Sequence, residues 1–153
     1  MPLLNVSFGI FAFLPQGWVF MMLIILLETC IMSKVLTKKW IEMRVFVSAL
    51  VSNGVSGIFG IVVSMILNGG WWLVVWFPWV TSHEVNVYEP RALMGLIIYY
   101  VAAMVLSVLI EWGINHIILK RQKHPDRKIF KATLLANAAS YTLGAILITL
   151  LCI

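Results

Sequence analysis

Residues 49–62 read ALVSNGVSGIFGIV, and residues 133–146 read TLLANAASYTLGAI. Aligned position for position (53 on 137), they pair Asn53 with Asn137, Ser56 with Ser140 and Gly60 with Gly144. Self-similarity of this kind decides a fold when it is real, so it is sought first. Upstream of each segment lies a glutamate in an apolar run, Glu28 and Glu111, followed by a short basic stretch. The shared frame is apolar helix, Glu, basic turn, then Asn-x-x-Ser-x-x-x-Gly on a returning helix. Each unit holds two spans, so the second copy enters a membrane in the same sense as the first. That predicts a parallel repeat, related by an axis along the membrane normal.

The surrounding composition says why these runs are read in a membrane. Of 153 residues, 62 % are apolar and only 11 % charged, with a mean hydropathy of +1.01. Too few polar residues remain to coat a soluble core, and the apolar residues come in blocks instead of stripes. Spanning the hydrocarbon takes about 20 apolar residues at about 1.5 Å each. The blocks predict spans at about 15–36, 45–67, 93–119 and 129–153. The expected fold is therefore all-α, a polytopic membrane protein of four transmembrane helices in two tandem hairpins. Residues 1–67 and 93–153 form the hairpins, and 68–92 an outer loop between them. Pro15 suits a first helical turn, and Trp18 a place at headgroup level. Residues 1–14 lack a basic segment and no small-residue cleavage site follows, so a cleavable signal peptide is not expected.

The net charge of +5 sits almost entirely in two short stretches. Lys34, Lys38, Lys39 and Arg44 form one; Lys120, Arg121, Lys123, Arg127, Lys128 and Lys131 form the other. The positive-inside rule accounts for that distribution, with anionic lipid headgroups as counter-charge and no nucleic-acid partner. Both basic loops are expected on the cytoplasmic or stromal side of a bacterial inner or thylakoid-type membrane. Both termini and the 68–92 loop are then outside. Cys30 and Cys152 are expected to remain unpaired thiols in apolar surroundings.

The outer loop carries Trp72, Trp76 and Trp79 at i, i+4 and i+7. A short helix would put the three indoles on one side. They would either float at the headgroups or form a docking surface for a partner subunit or pigment.

Polar residues inside the spans carry the rest of the reading. Small residues recur every fourth position, at 48, 52, 56, 60 and 64, and again at 132, 136, 140 and 144. Such faces allow close backbone approach, and Gly60 and Gly144 are the expected packing positions. Glu28 lies six residues before Lys34, about 9 Å of helix, and Asn53 nine residues after Arg44, about 13 Å. The two reach similar depths and can bond across their hairpin; Glu111 and Asn137 repeat the arrangement. Ser107, Glu111 and Asn115 share one face at i, i+4 and i+8. The expected intramembrane polar network is Glu28, Asn53, Ser56, Glu111, Asn115, Asn137 and Ser140. Charged groups in lipid are costly, so this set is either polar glue or a proton, cation or ligand site.

No catalytic constellation accompanies it. His83, His116 and His124 have no metal-ligand spacing, and there is no Cys-x-x-Cys, phosphate loop or Ser-His-Asp set. Neither metal nor cofactor is expected. The frame from Glu28 through the basic turn to Asn53-Gly54-Val55-Ser56 and Gly60, repeated at Glu111 to Gly144, resembles the FraC-like filament-integrity family of cyanobacteria. That resemblance implies a non-catalytic subunit of a membrane assembly at cell–cell septa. The expected function is a small membrane subunit or scaffold that packs with other membrane proteins. The alternative is a small transporter or channel with a polar pathway at the repeat interface. A pigment-binding or lipid-modifying protein is a third class, resting on the indoles and the polar seam.

Overall fold

Helix formation follows directly from the apolar blocks, because in lipid every backbone N–H and C=O must be satisfied within the segment. The computed structural model describes residues 15–67, 90–120 and 124–152. These form four α-helices: α1 (Pro15–Thr37), α2 (Met43–Leu67), α3 (Pro90–Leu119) and α4 (Asp126–Cys152). Within them, Val19–Thr37, Met43–Gly60 and Tyr100–Leu119 are long and apolar enough to cross a membrane. The fourth helix opens with Asp126, Arg127 and Lys128 and reaches its apolar run only later. Trp72, Trp76 and Trp79 lie outside the described residues.

The first turn is held by side chains. Lys38 adopts a left-handed backbone (φ 63°), the usual way to stop a helix, though more often seen with glycine. The Thr37 hydroxyl donates back to the Ser33 carbonyl at 2.9 Å and accepts the Lys39 N–H at 3.3 Å. Ser33 Oγ accepts the Glu42 N–H at 3.1 Å, tying the far side of the turn to α1. The Glu42 carbonyl then accepts the Phe46 N–H at 2.9 Å, starting α2. In the second turn, the Pro125 carbonyl accepts from Lys128 and Ile129 at 2.8 and 3.2 Å. Asp126 lies in the first turn of α4, where a negative charge complements the helix dipole.

The four helices form a ring in which α1 packs on α2 and α4, and α3 on the same two. Helices α1 and α3 are therefore diagonal neighbours. Beside the turns sits an apolar plug of Met32, Leu36, Val45, Leu119, Ile129, Ala132 and Ala136. It draws from the turn-proximal ends of all four helices, so both basic turns lie at the same end of the bundle. Most of the remaining interior is polar: beside buried Ile25, Ala49 and Val108 lie Glu28, Thr29, Ser48, Ser52, Asn53, Glu111, Asn115, Thr133, Asn137 and Ser140, all buried. The outside is apolar, with Val19, Ile58, Ile98, Met94 and Ile117 each at least 60 % exposed. A soluble bundle has the reverse polarity; this one is dressed for hydrocarbon.

Candidate functional site

Two carboxyl groups stand at the centre of the ring, one from each diagonal helix. Glu28 on α1 is 1 % exposed and Glu111 on α3 2 %. Asn53 Nδ2 on α2 donates to Glu28 Oε2 at 2.6 Å, and Asn137 Nδ2 on α4 donates to Glu111 Oε2 at 2.7 Å. These bonds close each hairpin on itself. Their sequence separations, 25 and 26 residues, are what a hairpin needs to bring two residues to one depth.

The other oxygen of each carboxyl reaches across to the opposite hairpin. Ser140 Oγ on α4 donates to Glu28 Oε1 at 2.7 Å, and Ser56 Oγ on α2 donates to Glu111 Oε1 at 3.0 Å. All four carboxyl oxygens thus have a donor, and the pattern is reciprocal: own asparagine, other hairpin's serine. The asparagines repeat it once more. Asn53 Nδ2 also donates to the Ala49 carbonyl at 3.0 Å, and Asn137 Nδ2 to the Thr133 carbonyl at 3.2 Å. The two carboxyl groups are also close enough to act on each other.

One turn nearer the plug, fully buried Asn115 forms a second node. Its Oδ1 accepts from Ser48 Oγ on α2 at 2.6 Å, and its Nδ2 donates to Thr133 Oγ1 on α4 at 3.1 Å. Met32 Sδ on α1 sits 3.9 Å from the same nitrogen, so one carboxamide touches all three other helices. On the opposite side of the carboxyls, Ser107 shares a 2.8 Å bond with the Tyr141 hydroxyl. Tyr100 donates to the Tyr141 carbonyl, and the two tyrosine rings meet edge to face at 5.2 Å. Ser107, Glu111 and Asn115 each bond to a neighbouring helix, in order down one face of α3.

The glycines divide. A Cβ at Gly144 would lie 2.8 Å from the Tyr100 hydroxyl, so this position is a close approach of α4 to α3. Gly60 makes no such approach within the chain: it is exposed, and none of the described residues lies within 4 Å of where its Cβ would be. A four-residue step advances 400° on a helix of 3.6 residues per turn, so the face drifts about 40° each time. Ser48 and Ser52 are fully buried, Ser56 half-buried, and by Gly60 the stripe has turned outward. Gly57 makes the contact on this helix, with Met21 Cε 3.1 Å from its Cβ position.

Thr133, Tyr100 and Tyr141 belong to the network but were not singled out from sequence, and Ser48 was read only as a small residue of the α2 stripe. Thr133 carried a signal, since it opens the second aligned segment. Tyrosines in apolar runs carried none. Three buried polar atoms have no partner among the described residues: Trp112 Nε1, His116 Nδ1 and Asn137 Oδ1. His116 Nδ1 faces Asp126 Oδ1 at 3.5 Å, near the second turn. No group of three His, Cys, Asp or Glu side chains that could hold a metal occurs among the described residues.

No family of known proteins, no curated protein and no solved structure matches this chain.

Proposed function

We propose that the chain is a small integral membrane subunit of four spans, built as two tandem hairpins, that works by packing against other membrane proteins. The observation that carries this reading is the reciprocal clamp: each glutamate is bonded to its own hairpin's asparagine and the other hairpin's serine. Those bonds cross-link α1 to α2, α3 to α4, α1 to α4 and α2 to α3, tying together every neighbouring pair in the ring. In bilayers such contacts are worth about 0.6–2 kcal/mol each, and lipid supplies no hydrophobic drive to replace them. With the polar groups turned inward, the outer surface is left apolar for lipid or partner helices. The matched partners of Glu28 and Glu111 also support the duplication, and the two basic turns support a cytoplasmic placement of that end. A non-catalytic role of the FraC-like kind fits this design.

The test is purification of the full chain from its native membrane in mild detergent. The reading expects a stoichiometric complex with a second membrane protein. A chain that isolates alone, as a homogeneous particle of its own mass, would remove the subunit role while leaving the clamp intact.

A further inference from the structure

The clamp leaves a charge unaccounted for. Two neighbouring carboxylates, at the centre of a bundle dressed for lipid, would bring two negative charges to one place. Uncompensated charge in hydrocarbon is costly, and like charges close together add to that cost. The donors around them, Asn53, Ser140, Asn137 and Ser56, are all neutral. No basic side chain among the described residues answers from within: Lys34, the nearest in α1, is exposed, with its Nζ 4.3 Å from the ring centre of Trp40 in the turn. Among the described residues, helices α2 and α4 present no charged group to the pair, and the further titratable group facing it is the phenol of Tyr141 on α4.

A second feature is independent of the acids. Asn137 is 1 % exposed, and its Oδ1 is buried without a donor among the described residues. The carboxamide cannot turn over to cure this, because its nitrogen already serves two acceptors, Glu111 Oε2 and the Thr133 carbonyl. A buried carbonyl oxygen with no donor is itself costly. It belongs to the same carboxamide whose nitrogen grips Glu111, so it lies beside that carboxyl. Negative charge and an unmet acceptor coincide at one spot.

We propose that Glu28, Glu111 and Asn137 Oδ1 form a binding site for one small monovalent cation, a proton or an alkali-metal ion. The shared chemistry is a single positive charge held by hard oxygen atoms: carboxylates neutralised from two hairpins and a carboxamide oxygen given its missing partner. The site joins α1, α3 and α4, so occupancy strengthens the contact between hairpins. This goes beyond the packing role and holds whether the chain acts alone or in a complex.

The experiment uses the full chain in lipid nanodiscs. Thermal unfolding is followed from pH 5 to 9 in choline chloride, then at fixed pH with sodium, lithium or potassium chloride in place of choline. A cation bound by the folded chain alone raises Tm, by at least about 5 °C at saturation. If the ion is a proton, Tm falls as pH rises, because the folded chain holds a proton that the unfolded carboxylates have released. If the ion is an alkali metal, Tm rises with one of the three salts over choline. Either response must be lost in Glu28→Gln/Glu111→Gln. Should that variant not fold, infrared spectra of the unaltered chain decide, through a protonated-carboxyl band that is present at neutral pH or carboxylate bands that shift with sodium, lithium or potassium. A wild-type Tm indifferent to pH and salt, a response that persists in the double variant, or spectra showing neither signature would overturn the site.

Discussion

At the scale of single residues, the interior is organised by carboxamides that each serve several helices. Asn115 shows the logic most simply, because it carries no charge and yet contacts α1, α2 and α4. Replacing it with leucine keeps roughly the volume and strands two buried hydroxyls, Ser48 and Thr133. Leaving a buried polar group unpaired costs about 1–3 kcal/mol in soluble proteins, and less in bilayers, where the unfolded state also finds partners. Asn115→Leu is therefore expected to lower stability by about 1–2 kcal/mol in denaturant titrations of the reconstituted chain. Ser48→Ala should cost measurably in the wild type and almost nothing in the Asn115→Leu background. Equal costs in both backgrounds would show that the 2.6 Å bond contributes nothing.

At the scale of helices, what could be read from sequence was depth, and what could not was azimuth. Glu28 and Asn53 announce themselves because they stand in apolar runs at matched distances from a basic turn. That the second oxygens of Glu28 and Glu111 would go to Ser140 and Ser56 was hidden, since it depends on which helices are neighbours in the ring. The small-residue stripe divides for a related reason: a four-residue period drifts off the packed face, so Gly60 is exposed in the chain while Gly144 meets Tyr100. This difference is testable. Gly144→Ala puts a methyl 2.8 Å from the Tyr100 hydroxyl and should lower Tm, with Gly144→Leu worse. Gly60→Ala and Gly60→Leu meet open space and should leave Tm of the isolated chain unchanged. Should Gly60→Leu abolish a co-purifying partner without moving Tm, that face of α2 is where the partner sits. Equal destabilisation at the two positions would mean that the ring is not the packing found in the membrane.

At the scale of the whole molecule, the reversal of polarity between inside and outside and the charge at the two turns make one joint statement about topology. The plug of Met32, Leu36, Val45, Leu119 and Ile129 gathers both turns at one end of the bundle. Exposed residues there include Trp40, Lys38, Lys39, Arg127 and Lys128, a basic and amphipathic rim suited to anionic headgroups. If α1 to α4 all cross the bilayer, the two turns must share a side and residues 68–89 must lie on the other. With Cys30 and Cys152 replaced by alanine, Lys39→Cys and Arg127→Cys are expected to react with an impermeant maleimide only in inverted vesicles. Ser82→Cys is expected to react only in right-side-out cells. The comparison is sensitive to α4, whose basic opening makes it the least hydrophobic of the four helices at its start. If α4 lay along the interface, Lys39 and Arg127 would still label together, so that pair alone does not settle the count of spans. A fourth site does: a cysteine appended after Ile153 must label with Ser82→Cys if α4 spans, and with Arg127→Cys if it does not. Two tandem hairpins require the first result, because a parallel repeat returns the chain to its starting side after every second helix.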